Sequence, residues 1–523
     1  MPAALHGTTH SKTAIETSLN AMDGVVPEMT PEMTPEMAET FEFLRQVQQK
    51  AIETDQAKIA SLTFPTEAIA PWVVLSALGN IHQRHFYYDS PQQWSIVALD
   101  VVVGCHAVGP TRFEQAQAFT QTWKTQFVHA KTNSKADLPG RFFCSATFFD
   151  QPSQATTHSE QVRGLPETFS PESFEPVYLF VPQVQVMTLA EGSNVTFNYL
   201  VEATTEIAQV TQHLHAQLSF FQKGSPSRAH SESSLKEVKS ASEKVVVRDV
   251  ENFEGAVAGA LQQINKQTDR ASIDQTKVHK VVLADVMDVE AQQAIDVVRS
   301  LQTLRKNHPD CTVFSVGNGR GQSFIGASPE RLLSINEGHL TTDALAGSAS
   351  RGKTSNADAK ISQSLLNSEK ERYEHQVVVK FIVEQLRSLG LTPKYTAAPQ
   401  LLRLLHIQHL HTPISATLNP QTLSPLEILA QLHPTPAVAG LPRSIACQLI
   451  RQQETFDRGL YAAPVGWIDT EGNSEFIVGI RSALIDGCKA RLYAGAGIVA
   501  GSEPARELAE IRLKLQTLLN ALV

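Results

Sequence analysis

His433-Pro434-Thr435-Pro436-Ala437-Val438-Ala439-Gly440 opens a run that decides how this chain is read. It continues through Phe456-Asp457-Arg458-Gly459-Leu460-Tyr461, Phe476-Ile477-Val478-Gly479-Ile480-Arg481-Ser482 and Tyr493-Ala494-Gly495-Ala496-Gly497-Ile498-Val499. It closes on Glu507, Glu510 and Lys514. Short apolar stretches broken by glycine read as strands, and the spacing of the last three residues places them on one face of a final helix. Glycines, an arginine, a lysine and two carboxylates in this order suit a site for a small anion and a hard cation. The rest of the chain reads as support for that site or as its other half.

The 523 residues carry 42% hydrophobic and 19% charged side chains, which predicts a packed body of one large domain or two ordinary ones. A net charge of -9 argues against nonspecific nucleic-acid binding, which needs a basic surface, but a local basic pocket can still take an anionic substrate. Cys105, Cys144, Cys311, Cys447 and Cys488 are scattered with no CxxC pair, so they read as small core residues in a reducing compartment rather than as a zinc site. No run approaches the roughly 18 apolar residues of a membrane helix. Up to Glu39 the chain has Lys12 against Glu16, Asp23, Glu28, Glu32, Glu36 and Glu39, unlike a secretory signal or an Arg-rich transit peptide. A cytoplasmic bacterial protein is the expectation, with a plastid as the alternative for a photosynthetic eukaryote.

Residues 1–40 contain the repeat Pro27-Glu28-Met29-Thr30, Pro31-Glu32-Met33-Thr34, Pro35-Glu36-Met37 and read as a disordered tail. Residues 41–223 read as a variable, strand-rich part with one helix from Arg112 to about Thr122; Trp94–Gly104 reads as one strand. The serine-rich stretch 224–245 reads as a loop or linker. In 249–523, a strand starts at Lys280, a hairpin turns at Asn318-Gly319, and Leu340–Ser348 is a strand running into a glycine turn. A single long helix is expected from about Ala359 to Leu389, with Glu371, Glu374, Val378 and Phe381 on one stripe.

Glu371/Glu374 and Glu507/Glu510 are two carboxylate pairs at helical spacing. Four oxygen-bearing side chains would suit Mg²⁺, although such pairs are more often solvated surface. Lys280 is a strand-end lysine that, if desolvated, could act as a base. Glu330 follows a proline in a turn; exposed it is an ordinary carboxylate, and buried it is an acid with a raised pKa. Arg481 interrupts an apolar strand and fits either a substrate carboxylate or a structural salt bridge. Gly495 and Gly497 permit close approach of an anion to the backbone, or simply make a turn. His433 and Tyr461 fit both packing and polar roles.

As a set, Lys280-Val281-Val282-Leu283-Ala284, Ser328-Pro329-Glu330, Leu345-Ala346-Gly347-Ser348, Glu371-Arg372-Tyr373-Glu374-His375 and the C-terminal run resemble the chorismate-utilising enzymes, and within them the isochorismate synthases. The resemblance is strong from about Asp249 onward and weaker from about Ala70 to Val201. It implies an α+β fold, a single large two-layered sheet sandwich with outer helices and the site in a cleft between the sheets. It also implies roles. Lys280 is then the general base that activates water, and Glu330 the general acid that protonates the departing hydroxyl. Glu374 and Glu510 are the Mg²⁺ ligands, with Glu371 and Glu507 in the second shell or reached through water. Tyr461, Arg481, Gly495 and Lys514 hold the substrate carboxylates, Gly347 and Ser348 line the pocket, and His433 is an active-site histidine.

The implied substrate and product are chorismate and isochorismate, handled by a monomer with no obligatory glutaminase subunit. Ala346 stands where aminodeoxychorismate-forming relatives have a nucleophilic lysine, and Ala437 where salicylate synthases and aminating relatives tend to have threonine. The alternatives are a salicylate or anthranilate synthase releasing pyruvate, or an inactive chorismate-binding protein. One departure is Asp285, where relatives often have arginine. The pathway served (menaquinone, phylloquinone, siderophore or salicylate) is open at this point.

Overall fold

The computed structural model describes residues 34–79, 83–92, 94–130, 138–151, 174–222, 244–249, 252–265, 277–405, 407–418 and 423–522. Two large sheets organise them. The thirteen-stranded sheet runs, neighbour by neighbour, through Lys244–Arg248, Lys280–Ala291, Lys489–Val499, Ser482–Asp486, Gln322–Ser328, Thr312–Asn318, Arg84–Asp89, Ser95–Leu99, Val184–Leu189, Gly192–Val201, Lys58–Thr66 and Phe127–His129, with Gly440–Leu441 beside Lys280. The ten-stranded sheet runs through Lys394–Tyr395, Ile407–Thr417, His339–Ser350, Arg331–Asn336, Ser474–Val478, Pro464–Asp469, Arg141–Ala146, Val177–Val181 and Val103–Ala107, with Gln400–Arg403 against Ile407–Thr417. Pairing is antiparallel except between Lys58–Thr66 and Phe127–His129.

The N-terminal and C-terminal parts share both sheets. Arg84–Asp89 pairs with Thr312–Asn318 in one, and Arg141–Ala146 with Pro464–Asp469 in the other. One apolar core runs through both, with Phe86, Phe142, Phe143, Phe314, Phe324 and Phe476 fully buried. Each such side chain stabilises the fold by about 1.5–3 kcal/mol relative to exposure. The α+β sheet architecture implied by the resemblance is the one observed.

The chain changes sheets at corners. Ser328 ends a strand of the larger sheet and Arg331 begins one of the smaller, so Pro329-Glu330 is a corner; Gly479-Ile480-Arg481 leads back between Val478 and Ser482. The two corners are tied together by Val478 N–H donating to the Glu330 carbonyl (3.1 Å) and Ala327 N–H to the Arg481 carbonyl (3.1 Å). The N-terminal part repeats the device. Asp100, at φ 60°, separates Ser95–Leu99 from Val103–Ala107, and Pro182-Gln183 leads back. Here Val102 donates to the Val181 carbonyl and Gln183 to that of Leu99. Trp94–Gly104 is therefore two strands in different sheets rather than one.

Other expectations shift locally. The long helix is two, Ser355–Asn367 and Glu369–Ser388, because Ser368 caps the second by accepting from Glu371 N–H. His339–Ser350 continues as a strand through Gly347, which is a bulge at φ 78° and not a terminal turn. Helices Pro71–Leu78 and Ile207–Gln222 lie in the region read as strand-rich with a single helix. The tail's boundary moves as well. Thr34 caps a helix, Pro35–Thr54, that starts inside the stretch assigned to the tail, and residues 1–33 lie outside the described residues. So does 223–243, most of the expected linker.

Candidate active site

The corners, the Lys280 strand and two helices meet around one pocket. Lys280 starts the strand Lys280–Ala291, between Lys489–Val499 and Gly440–Leu441. Only 1% of its surface is exposed, and its ammonium lies 2.8 Å from Glu374 Oε1 without hydrogen-bond geometry to any described group. Glu374 comes from the helix Glu369–Ser388. The space for this pair is left by Gly497 on the strand paired with Val282, where a Cβ would fall 2.5 Å from Glu374 Oε1 and 3.3 Å from Lys280 Cε.

Glu330 lines the same pocket from its corner and is buried. Burial pushes its carboxyl up to about 8; Lys280 opposes the shift and Asp343 adds to it. A carboxylic acid that keeps its proton at neutral pH therefore lines the pocket. The buried Lys280 does not line it but lies behind it, in contact with the pocket-lining Glu374 and close enough to act on Glu330.

The remaining carboxylates meet cations. Glu510 lies 2.8 Å from Lys514, which holds its carboxylate below the usual range. Glu507, buried, lies 3.2 Å from Lys370. Glu371 accepts from Ser348 N–H at 3.2 Å, and burial, then the neighbouring Glu374, raises its pKa. Among the described residues no three His, Cys, Asp or Glu side chains converge on one point. All four carboxylates nonetheless line this pocket, and an all-oxygen donor set is the chemistry a hard divalent cation takes.

The anion-holding candidates line the same pocket. Lys514 Nζ donates to the Gly495 carbonyl (2.8 Å). Tyr461 stacks on Tyr493 with ring centroids 5.2 Å apart, and its hydroxyl comes so near Gly495 that a Cβ there would lie 2.7 Å away. Arg481 and Ala462, both pocket-lining, adopt left-handed φ of 51° and 59°. Such conformations cost about 1–3 kcal/mol each and concentrate at functional sites. Gly347, Ser348 and Ala437 also line the pocket.

His433 does not line it. The ring is buried between Phe113 and Phe148, edge-on to both, with Nε2 3.1 Å from the Phe148 carbonyl. Burial, reinforced by Arg112, pushes it down to about 3, so it is a neutral packing histidine and not the active-site histidine the resemblance implies.

A different histidine is present. His409, from Ile407–Thr417, lines the pocket with Nδ1 2.9 Å from Ser348 Oγ and Nε2 3.1 Å from Arg481 Nη2. A guanidinium only donates, so Nε2 accepts and Nδ1–H donates to the serine. Sequence reasoning missed His409, Lys370 and Arg506. The register that sets His409 opposite Ser348 is a tertiary fact, and the His-x-His alternation was its only local signal.

Behind the pocket, Arg458 is fully buried. It pairs with Glu454 at 2.8 and 2.5 Å and donates to the Val438 and Val282 carbonyls (2.9 and 2.8 Å). Glu454 also accepts from Ala284 N–H. This pair ties the Ala437-Val438 loop to the Lys280 strand.

A family model described as "Chorismate binding enzyme" matches residues 43–523. The chain belongs to that family. It is 34% identical over 490 residues to the isochorismate synthase MenF of Bacillus subtilis, covering 90% of this chain and 95% of that one. Against the salicylate biosynthesis isochorismate synthase of Pseudomonas aeruginosa it is 45% identical over 257 residues, and the match spans 48% of this chain and only about half (52%) of the relative. The solved structure of MenF, the menaquinone-specific isochorismate synthase of Escherichia coli, superposes with a TM-score of 0.67 at 23% identity over 91% of this chain and 99% of that one, a likeness of fold. Among the described residues no helix is long and apolar enough to cross a membrane.

Proposed function

We propose that this chain is an Mg²⁺-dependent isochorismate synthase, converting chorismate to isochorismate by adding water at C2 and releasing the C4 hydroxyl. The observation that carries the reading is the buried, pocket-lining Glu330, held protonated to about pH 8, with the buried Lys280 just behind the pocket against the lining Glu374. A carboxylic acid that keeps its proton, near a buried amine that can take one, is what a proton-in, proton-out substitution needs. The names of the family relatives support it.

Lys280, as the neutral amine, takes the proton of the water that attacks C2, and Glu330 gives a proton to the leaving hydroxyl. Arg481, Tyr461 and Lys514 orient the substrate carboxylates. Glu374 and Glu510 would hold the Mg²⁺, with Glu371 and Glu507 behind them; bound there, the ion would supply charge stabilisation at the ring carboxylate as the hydroxyl departs. Ala346 offers no nucleophile for a covalent adduct.

Purified protein incubated with chorismate and Mg²⁺, with and without ammonia, and analysed by chromatography tests this. Isochorismate as the sole product is expected. Salicylate or anthranilate with equimolar pyruvate, or no turnover, would overturn it.

A further inference from the structure

Arg481 keeps unusual company for a half-buried arginine. Arg458, Arg491, Arg351 and Arg84 each meet a carboxylate. Arg112 and Arg443 form no ion pair among the described residues but donate to main-chain carbonyls. Arg481 instead donates from Nη1 to Cys311 Sγ at 3.7 Å and from Nη2 to His409 Nε2 at 3.1 Å. Among the described residues no protein oxygen accepts from it. Burial pushes the Cys311 thiol up and, with the charge of Arg481, pushes His409 well down, so both partners are neutral.

Each partner is itself fixed. The His409 ring is held by Ser348 on the paired strand. The Cys311 carbonyl accepts from Arg305, whose own charge is matched by Asp89 at 3.1 Å. Cys311 precedes the strand Thr312–Asn318, two strands from Ser482–Asp486, so the guanidinium reaches back across the sheet to find it.

We infer that Cys311 and His409 are positioning residues for the substrate carboxylate: they aim the Arg481 guanidinium through neutral, weak acceptors and leave its charge and remaining donors to the ligand. This rests on the proposed role of Arg481 as a carboxylate receptor. A protein carboxylate at either position would orient the arginine equally well but would compete with the substrate for its charge.

The test places that competitor. In the full-length protein with Mg²⁺, chorismate KM, kcat and the thermal midpoint are compared for Cys311→Ser, Cys311→Asp and Arg481→Gln. Cys311→Ser, still a neutral acceptor, is expected to keep KM within about threefold, whereas Cys311→Asp raises it about 30-fold or more with a much smaller change in kcat and no loss of thermal midpoint. A merely structural cysteine would instead show both variants failing together, with a lowered midpoint, and that result overturns the inference. So does Cys311→Asp with an ordinary KM while Arg481→Gln loses affinity. An ordinary KM in Arg481→Gln removes the receptor role itself and the inference with it. Should Cys311→Asp not fold, His409→Asp against His409→Asn makes the same comparison from the other side, with the same outcomes deciding.

Discussion

The Lys280 ammonium and the Glu374 carboxylate sit 2.8 Å apart, one from the edge of an apolar strand and the other from a helix outside the sheets. The pair joins the two chemistries of the site, because the lysine is the base and the glutamate a metal ligand in the proposed reaction. Lys280→Ala should lower turnover by about 10²–10⁴-fold while leaving Mg²⁺-dependent chorismate binding detectable by calorimetry. Glu374→Gln should instead shift the Mg²⁺ titration by at least about tenfold. Retained turnover in the first variant, or an unmoved titration in the second, would separate these residues from their roles.

Glu330 gives the pH dependence its sign. Its carboxyl is raised from 4.5 to about 8 in the folded protein, so the folded state holds a proton that the unfolded chain has released over that interval. Its contribution to stability is therefore present below about pH 4.5 and is lost progressively as pH rises through about 8. Activity that needs the protonated acid should fall through the same upper value. A basic limb in kcat/KM near pH 8 is expected in the wild type. Glu330→Gln should lose about 10²-fold or more in rate and also lose that part of the pH dependence of stability, read by urea unfolding from pH 5 to 9. A limb that survives in Glu330→Gln belongs to another group.

Much of this site is written locally. Lys280 before an apolar run, Glu330 after Ser-Pro, and Glu371 and Glu374 at helical spacing are all readable because strand and helix periodicity fix where a side chain points. The second helix start was readable too: Ser368-Glu369-Lys370-Glu371 has the sequence of a capping box, and apolar spacing alone ran past it. The corners were not readable. Asp100 breaks an apolar, β-branched run by adopting φ 60°, and nothing within that run shows that its two pieces join different sheets. His433 and His409 were exchanged for the same reason: which histidine faces the pocket depends on strand register, and register is set by long-range packing.

His433 should consequently act on stability and not on binding. His433→Ala removes a ring packed against Phe113 and Phe148 and leaves the Phe148 carbonyl short of a partner. A loss of about 1–3 kcal/mol in urea unfolding is expected, with chorismate KM within about twofold. A large rise in KM at unchanged stability would return His433 to the site.

The buried Arg458–Glu454 pair should show the asymmetry of buried charges. Arg458→Met strands the Glu454 carboxylate among apolar groups and should cost about 3–5 kcal/mol, whereas Arg458→Met with Glu454→Leu, which removes both charges, should recover a large part of that loss. The double variant still lacks the donors to the Val438 and Val282 carbonyls, so its activity should recover less than its stability. Equal recovery of both would confine the pair to a packing role.

Gly497 separates function from stability most cleanly. A methyl group there would meet the Glu374 carboxylate oxygen at 2.5 Å and Lys280 Cε at 3.3 Å. Both contacts involve flexible side chains rather than backbone, so the fold can accommodate Gly497→Ala by turning Glu374 away. The glycine lies in a strand, where alanine brings no backbone penalty of its own. Stability should change by less than about 1 kcal/mol. The same displacement moves the metal carboxylate off the lysine it contacts, and misplacement of about 1 Å in a catalytic constellation can cost about 10²-fold. Gly497→Ala should therefore unfold near the wild-type midpoint while losing about 10²-fold in kcat and weakening its Mg²⁺ titration. If activity survives with the fold, the Lys280–Glu374 contact is not part of the working geometry.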